Sequence, residues 1–154
     1  MLDTFAAPFR GTFQSESAFV AFAAAFAARL RIGDTVALGG PLGAGKTTFV
    51  RALVRALHGD VPTSSPTFTF WHRYLPPAER AAQAPPIDHL DLYRIDDPAE
   101  LAELGLEEAF SGASIVLVEW GSRAPALLPA ARYDVAIEGA GDGPRVVCVE
   151  RIAG

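Results

Sequence analysis

The stretch from Gly40 to Thr47 constrains this chain more than any other. It reads Gly-Pro-Leu-Gly-Ala-Gly-Lys-Thr and matches the pattern G-x-x-x-x-G-K-[ST]. The apolar run Val36–Leu38 precedes it, and a helical pattern over Thr48–Leu57 follows it. This is the strand–loop–helix context in which the pattern binds phosphate. Lys46 is the only lysine among the 13 basic residues, so a compact point charge stands where phosphate oxygens would lie.

Each residue type in this loop has a chemical reason. Its glycines allow a tight turn that brings backbone N–H groups close to an anion. The helix that begins near Lys46 adds its unpaired N–H groups and its positive end. Thr47 offers a hydroxyl to Mg²⁺, which binds together with substrate phosphates. The sequence therefore favours a nucleotide site over a glycine-rich turn that binds nothing, and predicts these binding residues: Gly40, Leu42, Gly43, Ala44, Gly45, Lys46, Thr47 and Thr48.

Composition favours a single cytoplasmic domain that meets nucleic acid only indirectly. A length of 154 residues predicts one domain over 1–154 with a sizeable core. The net charge of −5 argues against direct binding of nucleic acid, which usually leaves a basic surface. A role in an RNA pathway would therefore pass through a protein partner. The single Cys148 cannot form an internal disulfide, which suits a reducing compartment.

The apolar run Ala18–Ala28 predicts a buried helix. Its eleven residues are too few to span a bilayer. Phenylalanines recur at helical spacing along one face, and Ser15 is placed to cap the first turn. No membrane segment is expected.

The order of the remaining patterns predicts an α/β fold, with a P-loop NTPase-like sheet flanked by helices and a C-terminal β-hairpin. Proline-rich Leu75–Pro86 is expected to be a loop. A short helix should begin at the cap Asp97 and end at Gly105. The expected strands are Thr35–Leu38, Thr67–Tyr74, Ile87–Leu92, Ile115–Val118, and a hairpin of Tyr133–Ile137 with Arg145–Arg151.

Two acids could serve a metal near the phosphates. A P-loop site needs a carboxylate held at the end of a buried strand. Glu119 follows the run Ile115–Val118, and Asp91 lies near the end of Ile87–Leu92. Either could bind Mg²⁺, and Glu119 could instead orient or activate the attacking water. The alternative for each is a solvated acid at the end of a strand.

Other polar and aromatic residues carry weaker signals. Ser65 and Thr67 could reach metal or γ-phosphate from a switch-type loop, although a turn entering a strand is also consistent with the sequence. Trp120 could stack on a base, cover the site, meet a partner or pack in the core. His72 and His89 have no Cys or His at metal spacing, which predicts structural roles.

Four blocks of the sequence occur in order: Leu42–Thr48, Ser65–Phe68, His89–Arg94 and Val118–Trp120. Together, over about residues 15–137, they resemble the TsaE (YjeE) family, the bacterial ATPase of tRNA threonylcarbamoyladenosine synthesis. Two positions depart from the family pattern, Pro41 in place of an acid and Ser122 in place of a frequent Glu.

The resemblance implies a cofactor, an activity and partners. It implies Mg-ATP binding, slow ATP hydrolysis and work alongside the TsaB and TsaD proteins. It implies metal or switch roles for Thr47 and Asp91, and a catalytic role for Glu119 beside the nucleotide-contacting Trp120. Two other functions remain open from the residues alone: a small P-loop metabolite kinase, and a non-hydrolysing module whose docking depends on ATP.

Overall fold

A mixed sheet of seven strands organises the part of the chain that the computed structural model describes, residues 7–64, 66 and 69–154. The strands lie side by side in the order β1-β7-β6-β2-β5-β4-β3. Their bounds are β1 Phe9–Phe13, β2 Thr35–Gly39, β3 Trp71–Tyr74, β4 Ile87–Asp91, β5 Ile115–Glu119, β6 Arg132–Glu138 and β7 Arg145–Ile152.

The helices cover this sheet on both faces, as the sequence predicts. Three α-helices are present among the described residues: α1 Glu16–Ala27, α2 Lys46–His58 and α3 Glu100–Leu104. Short 3₁₀-helices occupy Ala78–Arg80, Leu106–Phe110, Gly121–Arg123 and Pro125–Leu127. No helix in the described ranges is long and apolar enough to cross a membrane.

The centre of the sheet is parallel and its margins are antiparallel. β2 pairs in parallel with β5 and β6, and β4 pairs in parallel with β5. The predicted C-terminal hairpin is confirmed, because β6 and β7 pair antiparallel. The carboxyl ends of β2, β4 and β5 therefore meet at one edge, which is where α/β sheets bind ligands.

Two hydrophobic clusters follow from the alternation of side chains along the strands. Ile115 and Leu117 of β5 face the cluster that α1 and α2 complete, where Phe26 and Phe49 are fully buried. Val116 and Val118 face the opposite cluster, which includes residues of α3 and of the 3₁₀-helix after it. The prediction that this strand is buried on both faces is confirmed.

Local signals set the ends of the two long helices. The Ser15 hydroxyl accepts a hydrogen bond from the Ala18 N–H at 3.2 Å and caps α1, as predicted. Gly59 follows α2 with a φ of 85°, and its N–H donates to the Arg55 carbonyl oxygen. A glycine adopts this conformation with little strain.

Two element boundaries were predicted wrongly. Residues Thr69 and Phe70 do not belong to a strand, because Phe70 has a φ of 62° and donates its N–H to the Pro66 carbonyl. Thr67 lies outside the described residues. The short helix begins at Glu100, since the Asp97 carboxylate accepts from the Ala99 N–H in a preceding turn.

Candidate nucleotide site

The P-loop connects β2 to α2 and is shaped by glycines with positive φ. Gly40 has a φ of 141°, and a Cβ there would collide with the Ile137 carbonyl oxygen. Gly45 has a φ of 111° and precedes the first residue of α2. The loop therefore wraps the start of α2, whose first N–H groups have no partner within the helix.

Lys46 is buried at the centre of this loop. Its ammonium donates to the carbonyl oxygens of Gly40 at 2.5 Å and Pro41 at 2.9 Å. It also lies 4.2 Å from the centre of the Trp120 ring. Burial lowers the pKa of Lys46, while the charges of Glu119 and Asp91 oppose this shift. The charge is thus held inside the loop by groups that a phosphate could replace.

The two predicted acids lie on adjacent strands at the same edge of the sheet. Asp91 and Glu119 are register partners at the carboxyl ends of β4 and β5. The Thr47 hydroxyl donates to Glu119 Oε1 at 3.2 Å. Burial raises the pKa of Asp91, and the nearby charge of Glu119 adds to the rise. The structure therefore brings Thr47 into contact with Glu119, and Asp91 lines the same cavity.

Trp120 covers the lysine. It adopts a φ of 59° directly after β5, which turns the chain away from the sheet. Its ring lies 4.9 Å from the ring of Tyr93, and the Arg123 guanidinium carbon lies 5.3 Å from the Tyr93 ring. Trp120 also packs against the second hydrophobic cluster. Of the roles that the sequence left open for Trp120, covering the site and packing against the core both match this placement.

Two cavities meet at the start of α2. The larger, about 450 Å³, opens over the P-loop and the acids. The smaller, about 190 Å³, lies between the start of α1 and the turn at 141–143. Gly45, Thr48 and Arg145 line both cavities, so the two are neighbours. The larger is lined by Leu42, Gly43, Gly45, Lys46, Thr47, Thr48, Asp91, Tyr93, Glu119, Trp120 and Arg145.

Arg145 is a site residue that the sequence did not predict. Its guanidinium donates to the Ala44 carbonyl at 2.7 Å, and to the carbonyls of Gly141 at 2.9 Å and Gly143 at 2.8 Å. It therefore ties the β6–β7 turn to the P-loop. No local motif marks it, since the two segments lie 101 residues apart.

His89 was assigned a structural role from the sequence, yet it contacts a predicted catalytic residue. Its Nε2 lies 2.7 Å from Glu119 Oε2, and both side chains are buried. The sequence contains a signal for this placement. His89 stands two residues before Asp91 on β4, so the two side chains point to the same face of the sheet.

Four further residues that the sequence predicts belong to the P-loop or to the switch-type loop. Ala44 is buried within the loop, whereas the Leu42 side chain is 72% exposed at its tip. Ser65 and Thr67, which the sequence predicts as switch residues, lie outside the described residues.

No group of three or more His, Cys, Asp or Glu within the described ranges could hold a metal ion. A metal here would therefore also need oxygens from Thr47 and from a ligand.

Comparison with known proteins agrees with these features. The family model described as "Threonylcarbamoyl adenosine biosynthesis protein TsaE" matches residues 13–147. A protein of Rickettsia bellii named tRNA threonylcarbamoyladenosine biosynthesis protein TsaE is 40% identical over 126 residues, 81% of this chain and 83% of that protein.

Two comparisons lead to Bacillus subtilis. A protein of the same name is 37% identical over 134 residues, 87% of this chain and 78% of that protein. The crystal structure of YdiB matches with a TM-score of 0.76 at 30% identity, covering 94% of this chain and 86% of that one. The predicted P-loop NTPase-like α/β fold is confirmed.

Proposed function

Since this chain belongs to the TsaE family, we propose that it is a Mg²⁺-dependent ATP-binding protein and slow ATPase. In this role it is required for the threonylcarbamoylation of adenosine in tRNA (t6A modification) in the cytoplasm. It acts with the TsaB and TsaD proteins and reaches tRNA through them. The observation that carries the proposal is the convergence of Lys46, Thr47, Asp91 and Glu119 on one cavity at the start of α2.

The P-loop and α2 bind the triphosphate in this proposal. The N–H groups at the start of α2 and the positive end of its dipole face the larger cavity. Lys46 exchanges the carbonyl oxygens of Gly40 and Pro41 for phosphate oxygens, which are stronger acceptors for a cation. The smaller cavity beside Phe19 and Arg145 holds the adenine. Two neighbouring cavities support a ligand with a charged end and a flat ring.

The residues of the site fit Mg²⁺. The ion takes oxygen ligands and shares them with substrate phosphates. The Thr47 hydroxyl and the carboxylates of Asp91 and Glu119 supply such oxygens. Burial and the charge of Glu119 raise the pKa of Asp91 although the charge of Lys46 opposes the rise, and a bound cation would offset that cost. When bound, the ion neutralises charge on the β- and γ-phosphates.

Glu119 acts on the attacking water. It is nearly inaccessible, with 2% of its surface exposed, and it ends a strand held on both sides by parallel neighbours. A fixed carboxylate can orient a water and take its proton without reorganising. Which of Asp91 and Glu119 binds the ion directly is decided by their variants, as described in the Discussion.

The position of Arg80 weighs against the kinase alternative. A kinase of this type would use an arginine-bearing lid, and Arg80 is the one arginine of the excursion Leu75–Pro86. Its guanidinium packs beside Gly59, at the end of α2 opposite the P-loop. A helix of 13 residues separates the two ends by about 20 Å.

Phosphate release from Mg-ATP, with no acceptor present, tests the proposal. We expect slow release from the chain alone and a rise of about tenfold or more with a matched TsaB–TsaD pair, because an incomplete transition-state clamp hydrolyses slowly. Chelation of Mg²⁺ should abolish release. Fast phosphate release at the same rate with and without the partners would contradict the proposal. ATP binding without phosphate release, even with partners, would favour the docking module.

The rim of the larger cavity is the proposed contact with these partners. Leu42 and Tyr93 are exposed there, and Trp120 joins the rim to Lys46. Exposed apolar and aromatic side chains around a site are typical of a docking surface.

Truncating the rim tests this contact. Trp120→Ala and Leu42→Ala should lower partner-stimulated release more than ATP affinity. Leu75→Ala is the matched control, since Leu75 is similarly exposed, at 67%, and does not line the cavity. Equal losses for Leu42→Ala and Leu75→Ala would contradict a contact at the rim.

A further inference from the structure

The two oxygens of the Glu119 carboxylate have different partners. Oε1 accepts from the Thr47 hydroxyl at 3.2 Å, on the side of the P-loop. Oε2 lies 2.7 Å from Nε2 of His89, on the neighbouring strand β4. The threonine contact lies at the larger cavity, whereas the histidine contact lies in the protein interior.

His89 has one side-chain hydrogen-bond partner among the described residues, the Glu119 carboxylate. The side chain is 1% exposed, and its Nδ1 has no hydrogen-bond partner in the described part of the chain. A carboxylate without a proton only accepts hydrogen bonds, and toward such a carboxylate Nε2 is the donor.

A second buried histidine shows what is particular about His89. His58 also has an unpartnered Nδ1, and its Nε2 lies 2.8 Å from the Pro85 carbonyl oxygen. That contact joins the end of α2 to a loop, far from the P-loop. The unpartnered nitrogen is therefore common to both residues, and the carboxylate partner distinguishes His89.

We propose that His89 is a positioning residue, which holds Glu119 Oε2 so that Oε1 faces the phosphates and the attacking water. A glutamate side chain has three rotatable bonds and loses much conformational freedom when it is fixed. A partner that fixes one oxygen before the ligand arrives leaves less ordering for the reaction itself. This inference rests on the proposed ATPase function.

Three substitutions at or away from this contact separate positioning from packing. His89→Gln keeps an N–H donor at a similar reach, and His89→Leu keeps a similar volume without a donor. His58→Leu removes a buried histidine outside the site and serves as the control. We expect His89→Leu to lower partner-stimulated phosphate release about 10- to 100-fold, the typical cost of a misplaced catalytic group. Mg-ATP affinity should stay close to wild type.

The rescue by glutamine decides the mechanism. His89→Gln should retain most of the release rate, and His58→Leu should leave both rate and affinity unchanged. Equal losses for His89→Gln and His89→Leu would overturn the proposal, because packing alone would then explain the effect. If His89→Leu fails to fold, His89→Asn replaces it, since its shorter amide cannot reach Oε2.

Crystal structures of the nucleotide-free variants provide a readout that needs no activity. In His89→Gln the introduced amide should lie within hydrogen-bond distance of Glu119 Oε2. In His89→Leu or His89→Asn the carboxylate should adopt other rotamers. An unchanged Glu119 rotamer in every variant would overturn the positioning role. If wild type releases no phosphate even with partners, the ATPase proposal fails, and these structures alone decide the role of His89.

Discussion

Strand β4 carries two buried acids whose pKa values are shifted in opposite directions. Asp88 is fully buried and Asp91 is 9% exposed, and only two residues separate them. Because side chains alternate along a strand, the two carboxylates point to opposite faces of the sheet. The comparison sets an acid that is partnered inside the fold against the acid that we propose to bind a cation.

Asp88 finds all its partners within the chain. The guanidinium of Arg73 donates to both carboxylate oxygens, at 2.8 and 3.0 Å, and the Trp71 indole donates to Oδ1 at 2.7 Å. The Ser114 hydroxyl donates to Oδ2. Burial alone would raise the pKa of Asp88, but these hydrogen bonds hold it below its ordinary value. The carboxylate therefore fastens the edge strand β3 to the sheet.

Asp91 has the opposite balance. Its Oδ1 accepts from the backbone N–H of Tyr93 at 3.0 Å, in its own turn. Burial and the charge of Glu119 raise its pKa despite that bond. Burying an acid without full compensation costs stability unless a ligand supplies the missing charge. The pKa values of the two acids are thus shifted in opposite directions, which agrees with a structural Asp88 and with the cation-binding role that we propose for Asp91.

The largest expected effect is the loss of ATP turnover when Glu119 is replaced by glutamine. Glu119→Gln keeps the shape of the side chain and removes its charge and basicity. We expect partner-stimulated turnover to fall about 100- to 10,000-fold, the usual contribution of a general base. Mg-ATP should remain bound if Glu119 serves the water. Phosphate-release kinetics beside calorimetry measure both. Asp88→Asn is the control, with unchanged turnover per folded molecule, and equal turnover in wild type and Glu119→Gln would rule out the catalytic role.

The next effect comes from removing the cation near each acid, Lys46 for Asp91 and Arg73 for Asp88. Lys46→Ala removes a charge-assisted contact to phosphate and should weaken nucleotide binding by about 1.5–3 kcal/mol, or roughly ten- to a hundredfold. Arg73→Ala removes the cation beside Asp88 and should lower stability while leaving affinity intact. Calorimetry with Mg-ATP and urea denaturation distinguish them. Unchanged affinity in Lys46→Ala would refute the P-loop assignment.

Much of this site follows from the sequence, since its parts obey local rules. The glycine spacing around Lys46 and the apolar run before Glu119 were enough to place the phosphate loop and one acid at the same sheet edge. The helix cap at Ser15 and the terminal hairpin follow from short patterns in the same way.

The rest depends on contacts between distant segments. Arg145 meets the P-loop only because β6 and β7 fold back beside β2. His89 acquires its partner only because β4 and β5 become parallel neighbours. Phe70 has strand composition, yet its backbone turns with positive φ before the edge strand. Tertiary contacts override propensity at such positions.

The comparison of the two acids has a direct test in stability. Asp88→Asn should lower the free energy of unfolding by about 2–3 kcal/mol, because it weakens hydrogen bonds to a buried charge. Asp91→Asn should leave it unchanged or slightly higher, and should weaken Mg²⁺-dependent ATP binding. Urea denaturation and calorimetry measure the two properties. Equal losses of stability in both variants would show that Asp91 is structural as well.

The smallest expected effect is the pH dependence of the difference in stability between Asp88→Asn and Asp91→Asn. The folded-state pKa of Asp88 lies below its unfolded value, so its stabilisation is present above the unfolded pKa of about 3.9 and is lost as pH falls through the folded pKa. The pKa of Asp91 is raised in the folded state, so the stability cost of its charge is present above the folded pKa and disappears as pH falls.

The two asparagine variants should therefore approach wild type from opposite sides as the solution is acidified. At neutral pH, Asp88→Asn is less stable than wild type, and the gap narrows below about pH 4 because wild type loses its ionised Asp88. Asp91→Asn is at least as stable as wild type at neutral pH, and any excess vanishes in acid. Urea denaturation at a series of pH values measures both gaps. A gap for Asp88→Asn that is constant from pH 7 to about pH 2 would mean that its cost comes from altered packing, and not from the charge of Asp88.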